Sequence, residues 1–309
     1  MNAQRLLIAV LAVVALAAPW FAYPVFLMTA LCFALFACAF NLLLGYVGLM
    51  SFGHAMFFGT AGYFFGHVVK AWDMPPELGL LAGVCGAALV GLVTGALAIR
   101  RQGIYFAMIT LAFAQMIYFF CVQAPFTHGE DGLQGIPRKA LLGGLIPTKD
   151  DRVLYYVVLA IFVFGYCAIY RIIHSPFGQV LKAIRDNEQR AQSLGYEADR
   201  YKLLAFVLSA ALAGLAGSTK AMVLQFATLT DVSAAMSGEV VLMALVGGLG
   251  TIVGPVVGAF IIITMQNYLA ATGEFVLVIQ GAIFVVIVLA FRKGVVGELA
   301  EWWKRRQAR

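Results

Sequence analysis

The chain has 309 residues, of which 62% are hydrophobic and only 12% are charged, and its mean hydropathy is +0.92. This composition excludes a soluble globular domain and predicts a polytopic membrane protein. The net charge of +6 does not indicate nucleic-acid binding, because the basic residues lie in short connections between apolar runs, where they report membrane topology.

Apolar runs follow one another along the chain, each close to the roughly 20 residues that cross a bilayer core. They are residues 6–23, 25–46, 51–70, 77–99, 103–124, 152–170, 203–225 and 275–291, together with a glycine-broken region over 238–270. The first run also fits a cleaved signal peptide, with small residues at Ala15 and Ala17, but an uncleaved first helix is the simpler interpretation.

Lysine and arginine concentrate in residues 100–101, in the loop 171–202 and in the tail 292–309, which are therefore expected in the cytoplasm. Acidic or mixed connections, including the loop 125–151 and Asp231, are expected outside. This orientation requires the region 238–270 to hold two segments, a short one before the break Gly247–Pro255 and a full one after it. We therefore expect an all-α helix bundle forming one transmembrane domain over 1–309, with about ten membrane segments and both termini in the cytoplasm. A re-entrant short segment is the alternative.

Two glycine-interrupted regions, Asn41–Tyr63 and Val240–Phe260, lie in opposite halves of the chain. Paired broken segments are typical of transporters that expose backbone groups near a pathway. Polar residues inside apolar runs are the candidates for lining that pathway, although each of them fits a purely structural hydrogen-bonding role as well. These candidates are Asn41, Ser51, His54, Thr110, Gln115, Ser209 and Glu239.

The chain carries no phosphate-binding loop, no HExxH and no GxSxG motif, so we expect neither a nucleotide site nor an enzymatic activity of its own. The histidines are scattered, and no metal site or other cofactor is expected in this chain. The cysteines lie in apolar runs without metal-ligand spacing, and we interpret them as small core residues. They are Cys32, Cys38, Cys85, Cys121 and Cys167.

The stretch Ser175–Gly195, SPFGQVLKAIRDNEQRAQSLG, is strongly charged within an otherwise apolar chain, and we call it the charged segment. Ser175 suits an N-cap, Pro176 suits a first helical position and Gly195 suits a left-handed stop, so a single helix is predicted. Its apolar residues recur at helical spacing and form one stripe. The segment is either a linker lying on the membrane surface or a helix that docks into a groove of a cytoplasmic protein. The stripe comprises Phe177, Val180, Leu181, Ile184, Ala191 and Leu194.

Three stretches resemble the LivM-type permease family of branched-chain amino acid ABC importers: NLLLGYVGLMSFGHAMFFGTAGY (41–63), GIYFAMITLAFAQ (103–115) and the run from Ser175 to Gly217. The similarity continues through GGLGTIVGP (247–255) and covers most of the chain. It implies a subunit of the bacterial inner membrane that pairs with a LivH-like permease, two cytoplasmic ATPases that bind ATP and Mg, and a periplasmic solute-binding protein, all within membrane lipid. It leaves open whether the substrate is a branched-chain amino acid, another amino acid, urea, an amide or a small aromatic acid.

The resemblance also implies that the charged segment couples the permease to an ATPase. The EAA-three residues-Gly pattern that ABC importer permeases often carry at this place is matched here only at Ala191 and Gly195. The residues expected to form the coupling helix are Phe177, Val180, Leu181, Ile184, Arg185, Glu188, Ala191, Leu194 and Gly195. The alternatives are an ATP-independent secondary transporter or channel, which would need buried charges for coupling, and a purely structural membrane scaffold.

Overall fold

The structure is a computed structural model that describes residues 15–144, 146–269, 276–290 and 294–298. The start of the first predicted run and most of the predicted tail 292–309 lie outside these residues. Residues 15–21 and 294–298 are helical. The remaining helices are α1 (Pro24–Val47), α2 (His54–Lys70), α3 (Pro76–Ala98), α4 (Ile104–Gln123), α5 (Asp151–His174), α6 (Pro176–Asp186), α7 (Glu188–Ser193), α8 (Ala198–Leu224), α9 (Ala234–Gly247), α10 (Gly254–Leu269) and α11 (Val276–Ala290).

Five of these helices, α1, α3, α4, α5 and α8, are long and apolar enough to cross a membrane, and α9 and α10 are shorter apolar helices. The predicted all-α, polytopic architecture is thereby confirmed. Two connections add one small feature: strand β1 (Leu133–Gln134) pairs antiparallel with strand β2 (Phe226–Ala227) and joins the connection after α4 to the one after α8.

Helix α1 forms the centre of the bundle, because it is apolar on every side and such a helix is stable only when surrounded by protein or lipid. It is buried along most of its length and packs against α8, α5 and α10. Helices α3 and α4 present large apolar side chains outward, among them Leu89 and Met108. An outward apolar face is the arrangement expected of helices at the lipid boundary.

The region 238–270 contains two segments, as predicted, namely α9 and α10 with 14 and 16 residues. At 1.5 Å per residue these helices are roughly 21 and 24 Å long, less than the roughly 30 Å of a bilayer core. The segment after the break is therefore shorter than predicted within the described residues. The non-helical connection between them, residues 248–253, contains Gly248 and Gly250, both with positive φ.

One prediction about the core was wrong. Cys32, Cys38 and Cys121 are buried, whereas Cys85 and Cys167 are exposed on the outside of the bundle. An apolar run in a membrane helix does not distinguish residues that face protein from residues that face lipid, because both surroundings are apolar.

Candidate functional site

The first glycine-interrupted region contains a non-helical connection, residues 48–53, in which Leu49, Ser51 and Gly53 are buried. Two of its amide groups are satisfied by hydroxyls: the Phe52 amide donates to Thr110 Oγ1 over 3.2 Å, and the Gly53 amide donates to Ser51 Oγ over 3.3 Å. Non-helical backbone is tolerated at membrane depth only with such partners. Ser51 and Thr110 thus support the backbone, and their part in a pathway stays a prediction.

His54 and Ser209 meet at the start of α2, where the His54 Nε2 atom lies 3.0 Å from Ser209 Oγ. Both residues are fully buried, and the imidazole is surrounded by the rings of Phe36, Phe40 and Phe57. The structure thus brings two of the predicted pathway residues into direct contact. Gln115, a third, is half-buried in α4.

Asn41 of α1 holds the second non-helical connection, residues 248–253. Its Nδ2 donates to the Thr251 carbonyl over 2.8 Å, and its Oδ1 accepts from the Gly250 amide over 3.0 Å. A side-chain amide can match one backbone donor and one acceptor at once, as it does here. Asn41 therefore fixes the position of the glycine-rich break relative to α1.

The charged segment is not the single helix that the sequence predicts, because it breaks at Asn187 into α6 and α7. Its predicted ends are confirmed: Ser175 Oγ accepts from the Gly178 amide, and Gly195 has a φ of 90°. At Asn187 the backbone is extended, and the side chain accepts from the Arg190 amide over 2.9 Å. Asparagine is a preferred N-cap, and this signal within the segment was overlooked.

The apolar stripe of the charged segment faces its own subunit. Leu181, Ile184 and Ala191 are buried, and α6 packs against α1, α5 and α8. These side chains are therefore not available to a groove of another protein, contrary to the docking expectation, because the helical bundle already covers them. Leu194, with 72% of its surface exposed, is the stripe residue that remains accessible. Phe177 and Val180 are half-buried.

Two polar contacts fasten the charged segment to the bundle. Arg185 Nη1 donates to the Gly45 carbonyl in the last turn of α1 over 2.5 Å. Lys202 Nζ of α8 lies 2.5 Å from Glu188 Oε1, with side chains only 3% and 18% exposed. A charged pair removed from water in this way resists separation, because parting it would leave buried charges unpaired. The predicted loop 171–202 is also shorter than expected, since α5 continues to His174 and α8 begins at Ala198.

Charged residues meet inside the bundle, and of these the sequence singled out only Glu239 as a pathway candidate. Lys220 of α8 forms an ion pair with Asp231, and their side chains are 9% and 7% exposed. Glu239 of α9 lies near both of them and near Gln266 of α10. We call Lys220, Asp231 and the half-buried Glu239 the buried ionic cluster. Asp231 was predicted in an outer loop, but the turn Leu229–Val232 returns into the bundle beside α2, which charge counting does not reveal.

The family model for the branched-chain amino acid transport system permease component matches residues 24–288. The chain is 27% identical over 276 residues to the high-affinity branched-chain amino acid transport system permease protein LivM of Escherichia coli K12 and to that of Salmonella typhimurium LT2. Each alignment covers 81% of this chain and 64% of the relative, so the chain spans less than two thirds of these relatives.

A more distant similarity is to the ribose import permease protein RbsC of Bacillus subtilis 168, which is 30% identical over 174 residues, 52% of this chain and 50% of RbsC. No solved structure matches the chain. The match to the family model covers the bundle from α1 to α11, and it includes both non-helical connections, the charged segment and the buried ionic cluster. The chain therefore belongs to the family of branched-chain amino acid transport system permease components.

Proposed function

We propose that this chain is a permease subunit of an ABC importer that carries branched-chain or related small amino acids across the bacterial inner membrane. The proposed complex contains a LivH-like second permease, two cytoplasmic ATPases that bind ATP and Mg, and a periplasmic solute-binding protein. The names of the LivM relatives and of a LivH relative from Methanocaldococcus jannaschii support the pairing of two permeases. The chain crosses the membrane in about ten segments with both termini inside, by the positive-inside rule.

The observation that carries the proposal is the attachment of the charged segment. Arg185 and the Glu188–Lys202 pair hold it firmly to α1 and α8, while Leu194 and much of the polar surface of α7 stay exposed. Because one face of the segment is fixed to the bundle and the other is free to bind an ATPase, a movement of the ATPase displaces the attached helices as well. In this mechanism ATP binding closes the two ATPases, the charged segment moves with them, and the bundle changes the side to which it is open.

The proposed docking surface is therefore the exposed side of the segment around Leu194. We expect Leu194→Asp to abolish copurification of the ATPases and ATP-driven uptake while leaving the permease folded, because the side chain contacts little of its own subunit. Met74→Asp is the matched control, since Met74 is an exposed apolar residue in the connection after α2, on the predicted outer side. If the ATPases copurify with Leu194→Asp as they do with the wild type, the exposed side around Leu194 is not the docking surface.

An ATP-independent transporter or channel is the second candidate, and the buried Lys220–Asp231 pair is the observation that favours it. Charged residues inside a membrane domain commonly mark coupling sites in gradient-driven transporters. Substrate uptake into membrane vesicles, measured with and without ATP, distinguishes the two functions. Accumulation that follows an imposed ion gradient without ATP contradicts the ABC importer, and accumulation that requires ATP supports it.

A further inference from the structure

The buried ionic cluster joins charges from three separate elements of the bundle. Lys220 comes from α8, Asp231 from the turn before α9, and Glu239 from α9 itself. Replacing a buried ion pair by apolar residues is often neutral or stabilising, so such a pair is a poor way to hold helices together. Within a membrane domain, buried ionisable groups are by default indicators of a functional site.

The Lys220 ammonium is also enclosed by aromatic rings. Its Nζ lies 6.0 Å from the ring centre of Phe33, 5.9 Å from that of Phe58 and 5.7 Å from that of Phe226. Ring faces at this distance attract a cation and keep water away from it. The ammonium is thereby held in place, and among the described residues Asp231 is the carboxylate in direct contact with it.

Tyr63 adds a polar group whose hydrogen bonding is incomplete. Its side chain in α2 lies near Asp231. The residue is 2% exposed, yet its hydroxyl makes no hydrogen bond within the described part of the protein. Buried hydroxyls nearly always find a partner, and each exception requires an explanation. A ligand group at the buried ionic cluster explains this one.

A cavity of about 710 Å³, open on one side, lies between α1 and α10. The Phe33 ring separates it from the Lys220 ammonium. Two of its wall residues also lie near the cluster: Phe33 faces Lys220, and Gln266 is close to Glu239. Its volume falls within the range of roughly 300 to 1,000 Å³ that is usual for small-molecule sites. The rest of the wall is largely apolar and includes Val25, Phe26 and Ile263.

On the basis of the transport function proposed above, we propose that the buried ionic cluster binds the zwitterionic head of an α-amino acid, with the amino acid's apolar side chain in the cavity between α1 and α10. The ligand carboxylate pairs with Lys220, the ligand ammonium pairs with Asp231 and Glu239, and the Tyr63 hydroxyl supplies a further hydrogen bond. In this conformation Lys220 and Asp231 form an ion pair with each other. When the ligand binds, that ion pair is replaced by one between Lys220 and the ligand carboxylate and one between Asp231 and the ligand ammonium.

This exchange selects zwitterions for an electrostatic reason. A zwitterion inserted between Lys220 and Asp231 leaves the buried net charge unchanged, and each protein charge keeps a partner. A ligand with only a carboxylate leaves Asp231 unpaired, and a ligand with only an ammonium leaves Lys220 unpaired. An unpaired buried charge is strongly unfavourable. The cluster therefore discriminates by charge type, whereas the cavity discriminates by side-chain shape.

Binding of radiolabelled L-leucine to the purified permease–ATPase complex, without the solute-binding protein, tests the site directly. We expect leucine to bind, and we expect 4-methylpentanoate and 3-methylbutylamine, which each lack one of its charges, to compete at least about tenfold more weakly. The double variant Lys220→Met/Asp231→Asn removes both charges without leaving either unpaired, and it should lose leucine binding and uptake while keeping assembly and basal ATP hydrolysis. Lys139→Met/Asp73→Asn is the matched control, because that pair, 2.6 Å apart, lies in the outer connections.

Tyr63→Phe is a second variant whose folding is not at risk, since the hydroxyl that it removes has no partner within the described protein. We expect weaker leucine binding with unchanged thermal stability. Tyr155→Phe, which loses a 2.7 Å hydrogen bond to the Ala15 carbonyl, should show the reverse pattern. Leucine binding at wild-type strength in Tyr63→Phe and in the double variant overturns the proposal. Equal competition by leucine and the singly charged analogues also overturns it. So does a wild-type complex that transports leucine but does not bind it without the solute-binding protein. A complex that binds leucine but transports it without ATP contradicts only the proposed ABC function.

Discussion

The guanidinium of Arg185 donates a 2.5 Å hydrogen bond to the carbonyl of Gly45, across 140 residues of sequence. Gly45 also touches the second glycine-rich break, since a Cβ at this position would lie 2.7 Å from the Gly250 nitrogen. The charged segment, the end of α1 and the break between α9 and α10 thus meet at one point. A movement of α6 acts on that point through Arg185.

We expect Arg185→Ala to lower ATP-driven uptake at least about tenfold, because a hydrogen bond from a charged donor contributes roughly 1.5–3 kcal/mol. The ATPases should still copurify, since Leu194 is untouched, so the variant should hydrolyse ATP without matching transport. Arg190→Ala is the matched control, because Arg190 is exposed on the neighbouring α7. Normal uptake in Arg185→Ala would show that this contact does not transmit movement.

We expect Asn41→Ala to lower the stability of the purified permease complex by roughly 2 kcal/mol, because one side chain supplies two hydrogen bonds to buried backbone. Both lie on the break, at the Gly250 amide and the Thr251 carbonyl. Thermal unfolding in detergent measures the change. Thr94→Val provides the comparison, since the Thr94 hydroxyl bonds only the Val90 carbonyl within its own helix. Equal unfolding temperatures for the two variants would contradict a special role for Asn41.

The Glu188–Lys202 pair should behave as a buried ion pair. Lys202→Met leaves the Glu188 carboxylate unpaired, and we expect a destabilisation of roughly 3–5 kcal/mol. The double variant Lys202→Met/Glu188→Gln should recover most of that loss, because no buried charge remains. A double-mutant cycle from thermal or denaturant unfolding measures the coupling. Additive single effects would mean that the two side chains do not interact in the assembled protein.

Gly59 should be sensitive to a single added methyl group. A Cβ there would lie 2.7 Å from the backbone of Asp231 and Val232, closer than carbon atoms tolerate. We expect Gly59→Ala to push the turn away from α2, separate Asp231 from Lys220 and weaken leucine binding. Gly62→Ala is the matched control one turn away, where the nearest atom is the Ala227 Cβ at 3.5 Å, an ordinary contact. Similar leucine binding by the two variants would show that the position of Asp231 is not critical.

Local signals in the sequence were reliable wherever one short stretch of chain determines the structure. Hydropathy located the long helices to within a few residues, apart from the ends of α5 and α8, which extend into the predicted loop. Ser175 and Gly195 marked both ends of the charged segment correctly, because a cap is made with residues three or four positions away. The break at Asn187 follows from the same chemistry and was recognised only in the structure.

The sequence by itself determined the membrane class, the helices and the position of the charged segment, since hydropathy, charge and caps are properties of neighbouring residues. The tertiary structure alone decided which polar groups meet. Asn41 and Gly250 are 209 residues apart, and their contact depends on how α1 packs against the break. Lys220 and Asp231 are only 11 residues apart, yet their pairing depends on a turn that folds back beside α2. Helix packing in lipid brings these groups together, and because lipid offers them no water, buried polar groups there must find each other.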